Sequence, residues 1–319
     1  MGINKYMHTA LKALSDLYLS VDIKTKYGLI RRVERIARKP RIKLMYQTWD
    51  SYINSGSHDI PIRIFSPENK RIESLERTNY PVIVFLHGGG WVTGDLDSYE
   101  KLCLTAARQT GNIVVAVDYR LAPENPFPAA LEDCYEAVKA VMRQYGAPGS
   151  SRKITLMGDS AGGNLAAAVS LYMRDKGEKT VDRQILIYPA TYNNHTQTSP
   201  FPSVSENGTG YILTSKHICD YMDLYCHKAE DRLSPYCAPL LAGDFSNQPD
   251  TLIITAQYDP LRDEGEEYGR RLKEAGNSVT VRRVNNTLHG YFALPIRFSA
   301  VKESYDIINE FLRKGVKSK

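Results

Sequence analysis

Residues 153–169, KITLMGDSAGGNLAAAV, change character twice within seventeen positions. An apolar run ends at Gly158-Asp159, small residues surround Ser160, and an alanine-rich helical pattern follows. The pattern reads as strand, sharp turn and helix with one serine at the turn. Gly158-Asp-Ser160-Ala-Gly162 alone is weak, since glycine and serine frequencies of roughly 7% would produce Gly-x-Ser-x-Gly by chance in about one chain of this length in ten. Its setting makes it specific. A serine between a strand and a helix, flanked by glycines that tolerate a strained turn, projects its hydroxyl outward over the helix N-terminus, whose dipole favours negative charge.

Outward from this stretch, strands are expected at 43–53, 60–65, 80–87, 112–119, 153–159, 184–190, 251–257 and 279–284. The first two alternate in polarity, as an antiparallel edge pair does; the later ones are nearly continuous apolar runs, as strands covered on both faces are. Helical patterns at 99–109, 128–145, 163–176, 262–275 and 299–313 lie between and after them. This alternation predicts a mostly parallel eight-stranded sheet with helices on both faces. Two features stand outside it. Residues 1–40 carry two amphipathic segments, with Ile3, Met7, Ala10, Leu14, Leu17 and Val21 on one stripe and Leu29, Ile30, Val33, Ile36 and Ala37 on another. Residues 191–249 are too long for a plain crossover and hold one helical stretch at 215–228. Together they are expected to form a cap over a catalytic domain of residues 41–319, bringing in Tyr192, Phe201, Tyr211, Tyr221 and Tyr225.

A serine hydroxyl needs a base, and the base an orienting carboxylate, before it attacks a carbonyl at neutral pH. Asp259 closes the seventh strand and His289 follows the eighth. Carboxyl ends of parallel strands share one edge, so Ser160, Asp259 and His289 can converge there. His87-Gly88-Gly89-Gly90-Trp91 follows the third strand and supplies backbone N–H groups for an oxyanion, with the N–H of Ala161 as a further donor. Which two of the three glycines donate is open. Asp263 and Glu264 rival Asp259 but fall in the first turn of a helix, where the dipole accounts for them. His87 reads as a packing residue, and Asp159 and Glu206 as groups that satisfy loop hydrogen bonds. Cys219, Asp223, Cys226 and His227 invite a zinc reading, yet ligands from one helix rarely close a tetrahedral shell, so no metal is expected.

The blocks HGGGW (87–91), DYRLAPENPFPAALED (118–133), GDSAGG (158–163), SPYCAPLLAGD (234–244), YDPLRDEG (258–265) and HGY (289–291) resemble the signature blocks of the hormone-sensitive-lipase-like family of α/β-hydrolase carboxylesterases. The resemblance spans about residues 40–315. It implies an α/β-hydrolase core with a helical cap, no cofactor and a small-molecule ester substrate. It assigns Ser160 as nucleophile, His289 as base and acid, Asp259 as orienting acid, and Gly88, Gly89, Gly90 and Ala161 as the oxyanion hole. Asn286 stands where the family usually has glycine, and Tyr291 where phenylalanine is common; both bear on pocket shape. An amidase with the same triad is the alternative. A binding protein resembling the gibberellin receptor is disfavoured because His289 is retained.

With 319 residues, 42% hydrophobic and 24% charged, the chain can bury a large core. Residues 24–43 hold nine Lys/Arg against one Glu, so the net charge of +5 is local. No aromatic interleaving accompanies it, and a solvated helix face is expected rather than a nucleic-acid or membrane patch. No signal-peptide order opens the sequence, and Tyr6 stands where a myristoylation motif has Ser or Thr, so a cytoplasmic protein without stable membrane association is expected. Five cysteines without a Cys-x-x-Cys pair read as free thiols. The sequons at Asn194, Asn207 and Asn285 then carry no weight, and a homodimer is left open.

Overall fold

In the computed structural model the described residues are 22–38, 48–68, 79–146 and 152–313. The strands are Thr48–Asn54 (β1), Asp59–Phe65 (β2), Val82–Leu86 (β3), Ile113–Val117 (β4), Ile154–Asp159 (β5), Arg183–Ile187 (β6), Asp250–Tyr258 (β7) and Val279–Leu288 (β8). They form one sheet in the order β1-β2-β4-β3-β5-β6-β7-β8. β1 and β2 pair antiparallel, β2 meets β4 antiparallel, and β3 to β8 are parallel. All five residues of β3 and of β4 are buried, as unbroken apolar runs require when helices cover both faces.

The helices are Ile23–Arg38 (α1), Leu96–Thr110 (α2), Ala129–Tyr145 (α3), Ala161–Asp175 (α4), Pro202–Asn207 (α5), Ser215–Tyr225 (α6), Arg262–Glu274 (α7) and Ser299–Arg313 (α8). The period of two in each strand divides the core. Val82, Val84 and Leu86 pack with residues of α3, α4 and α7, while Ile83 and Phe85 pack with residues of α2 and α8. Helix α2 begins three residues before its expected start, because Asp95 caps it. The Asp95 side chain accepts from Ser98 N at 2.8 Å, and Ser98 Oγ accepts in return from Asp95 N at 3.0 Å.

The structure corrects the reading of the basic N-terminal segment. Leu29 and Val33 are 58% and 55% exposed, and the buried contacts of α1 come from Ile23 and Ile30. Lys24 and Arg31 are engaged with the protein: Lys24 pairs with Asp223 of α6, and Arg31 forks onto Glu124 and donates to the carbonyls of Val92 at 2.6 Å and Ala122 at 2.7 Å. Polar anchoring therefore sets the orientation of α1. The expected helix at 3–21, the start of the first strand at 43–47, and the side chains of Ile36 and Ala37 lie outside the described residues. No helix among the described residues is long and apolar enough to cross a membrane.

Candidate active site

Parallel registers bring the site together. Leu86 of β3 pairs with Gly158 of β5, so the glycines after β3 lie beside the turn that carries Ser160. Tyr258 of β7 pairs with Leu288 of β8, so Asp259 and His289 leave adjacent strand ends side by side. The expected end of the eighth strand at 284 was four residues short. Polar Asn285, Asn286 and Thr287 break the apolar run there, but the pairing to β7 continues across a register shift between Ala256 and Tyr258.

Ser160 sits at φ 55° and ψ −119°, outside the usual regions for a residue with a side chain. Two glycines make that turn possible. A Cβ at Gly158 would lie 2.2 Å from the carbonyl oxygen of Gly162, and one at Gly162 would lie 2.0 Å from that of Leu86. Ser160 Oγ is 2.8 Å from His289 Nε2, and His289 Nδ1 is 2.7 Å from Asp259 Oδ2. A carboxylate only accepts, so Nδ1 carries the hydrogen and Nε2 is left to accept from the serine hydroxyl. The Asp259 side chain is fully buried, and its Oδ1 also accepts from Leu261 N at 2.9 Å. The rivals are occupied elsewhere. Asp263 pairs with Arg262 and accepts from Ser203 N, while Glu264 accepts from Thr191 N and Tyr192 N and pairs with His195 at 2.7 Å.

The backbone N–H of Gly88 donates to Asp159 Oδ1 at 2.9 Å and to the Tyr99 hydroxyl at 3.1 Å. Asp159 thus pins the glycine loop against the turn that carries Ser160. Gly89 and Gly90 take φ values of 119° and 61°, and the N–H of Ala161 opens α4, where no intrahelical acceptor exists. His87 is buried and stacked on Tyr119 with ring centroids 4.2 Å apart; its Nδ1 lies 2.8 Å from the Gly88 carbonyl. Burial pushes its imidazole down to about 4. Glu206 pairs with Arg262.

These groups face one cavity of about 180 Å³, lined by Ser160, His289, the three glycines and Ala161 below and by Leu213, His217, Ile218 and Tyr221 above. The ring of Tyr221 lies where a Cβ on Gly90 would be, 2.4 Å from its Cγ. Of the other aromatics expected over the site, Tyr225 stacks on Trp91 at 4.6 Å, Tyr192 meets Phe201 edge-on, and Tyr211 stacks on Tyr258. The two departures from the family blocks have a physical basis. Asn286 takes φ 58°, a conformation that asparagine tolerates better than most residues with a side chain, and the Tyr291 hydroxyl is satisfied by Ser304 Oγ at 2.6 Å. Among the four residues of the zinc reading, Asp223 is held by Lys24 and Arg232, and Cys226 faces Cys237.

A family profile described as the α/β-hydrolase fold matches residues 83–293. The chain belongs to this α/β-hydrolase family. Its hormone-sensitive-lipase-like branch, which the sequence blocks resemble, is also where its relatives lie. The hydrolase is 36% identical over 251 residues to an arylesterase of Saccharolobus solfataricus, with 78% of each chain covered. It is 32% identical over 266 residues to the ethyl acetate hydrolase of Pseudomonas putida, covering 83% of this chain and 81% of that one. In three dimensions it matches the hyperthermophilic esterase of Pyrobaculum calidifontis with a TM-score of 0.83, at 35% identity and 97% coverage of both chains.

Proposed function

We propose that this hydrolase is a serine carboxylesterase acting on short-acyl esters through a covalent acyl-enzyme. The observation that carries the reading is the unbroken line of hydrogen bonds from Ser160 through His289 to buried Asp259, at the floor of a capped cavity. Ser160 Oγ attacks the ester carbonyl as His289 Nε2 takes its proton. Because the Gly88 N–H is already engaged by Asp159, the N–H groups of Gly89, Gly90 and Ala161 hold the oxyanion. His289 returns the proton to the departing alkoxide, and water enters by the reverse sequence to release the acid. Asp259 orients His289 and stabilises the imidazolium that forms between these steps.

The size of the cavity favours a short acyl group. A dry cavity of about 150 Å³ accommodates one benzene ring, so a cavity of about 180 Å³ fits an acyl chain of roughly two to six carbons. Glu34 of α1, Ile212 and Leu213 of the loop before α6, and His217, Ile218 and Tyr221 of α6 line the cavity, and these segments act as the cap. Initial rates on p-nitrophenyl esters from acetate to palmitate test the reading. Expected is a maximum of kcat/KM at short chains and a loss of at least about tenfold by twelve carbons. Long-chain esters hydrolysed faster than butyrate would overturn the size argument.

A further inference from the structure

The sulfurs of Cys226 and Cys237 lie 2.8 Å apart, and both residues are buried, at 3% and 1% exposure. Non-bonded heavy atoms settle at roughly 3.5–4.0 Å, and a disulfide bond is ~2.05 Å long, so this pair of thiols lies between the two, inside ordinary contact distance. The remaining cysteines are placed differently. Cys103 is buried on α2, Cys134 on α3, and Cys219 is half-buried on α6. Five cysteines without a recognisable spacing read as free thiols, and only the folding of the cap brings two of them into register.

We infer that Cys226 and Cys237 are a cystine site that fastens the cap to the nucleophile helix. Cys226 ends α6, directly after Tyr225, whose ring stacks on Trp91 of the glycine loop. Cys237 lies in the segment following the 3₁₀ turn Glu230–Leu233, and its carbonyl accepts from Asn164 Nδ2 at 2.8 Å, one turn into α4 from Ser160. The bond therefore joins the end of the cap helix to a segment already held by the helix that positions the nucleophile. It forms by thiol–disulfide exchange. A thiolate of one cysteine attacks an external disulfide such as oxidised glutathione and expels one glutathione thiolate; the second cysteine displaces the other glutathione from the mixed disulfide. Two thiol hydrogens leave as protons, and the two electrons leave with the two glutathione thiolates. The contact with the Cys226 sulfur, and then burial, push the Cys237 thiol well up. Exchange is accordingly expected as the chain folds, before the pair is enclosed.

The test uses the full chain refolded in a glutathione redox buffer or in dithiothreitol, then alkylated in denaturant and weighed intact. The redox-buffer sample should carry three alkyl groups and the reduced sample five, and proteolysis should release a peptide containing Cys226 linked to Cys237. Closing a ring of this length should raise Tm by roughly 4 °C over the reduced protein, a difference that vanishes in Cys237→Ser. Five alkylated thiols after refolding in the redox buffer, or a bridge between any other pair, would overturn the inference. The mass readout on the native sequence decides the matter even if Cys237→Ser or Cys226→Ser folds poorly.

Discussion

At the scale of single residues, several side chains near Ser160 act through the backbone. Asp159 ends β5 and holds Gly88, and the strained φ of Ser160 is accommodated by glycines whose neighbours come within contact of their missing Cβ atoms. His87 has a different consequence, for stability. Its Nε2 is buried with no hydrogen-bond partner among the described residues, and burial lowers its pKa to about 4 from the ordinary 6.5. Between those values the unfolded chain binds a proton that the folded protein does not. Stability from this group is therefore complete above about pH 6.5 and is lost as pH falls toward 4. The expected loss between pH 7 and pH 5 is on the order of 2 kcal/mol, and His217, also lowered by desolvation, acts in the same direction. Urea unfolding of the native protein and of His87→Gln at both pH values checks this. The variant should lose clearly less stability on acidification, and parallel losses in the two proteins would dismiss His87 as a source of acid sensitivity. The convergence of Ser160, Asp259 and His289 was legible in sequence because strand ends announce it. The partner of Asp159 was not, because a loop hydrogen bond expected of its side chain does not name the Gly88 N–H as the donor.

At the scale of elements, the alternation of strands and helices was legible almost throughout, since buried parallel strands are written as apolar runs. The proposed cap was legible only as an excess of chain. In α1 the stripe of Leu29 and Val33 faces outward, and the decisive contacts are polar. Arg31 satisfies two carbonyls that end the glycine loop and its neighbour, and also pairs with Glu124, and no hydrophobic periodicity encodes such a fork. Arg31→Ala should release α1 from the mouth of the site, raising KM for a butyrate ester about fivefold while leaving kcat within about twofold, because no group at the reacting carbon changes. Arg31→Lys should fall between, since an ammonium keeps the charge but not the fork. Equal kcat losses in both variants at unchanged KM would mean that α1 takes part in the chemistry rather than in enclosing substrate.

At the scale of the whole molecule, one sheet edge collects everything the reaction needs. In the proposed reaction β3 delivers the oxyanion donors, β5 the nucleophile, β7 the acid and β8 the base, each at a carboxyl end. This convergence is a property of parallel connection, which is why residues separated by 129 positions could be matched from sequence. The extent of β8 beyond Val284 was not legible, because polar asparagines there are paired to β7 rather than exposed in a loop. The cystine site was hidden for a related reason, as the cap must fold before its two sulfurs meet. The account as a whole rests on Ser160 being the atom that attacks. Its most direct test is kcat for p-nitrophenyl butyrate in Ser160→Ala, with folding verified by an unchanged circular dichroism spectrum. A fall approaching about 10⁶-fold is the result predicted, whereas turnover within about tenfold of the native protein would contradict it.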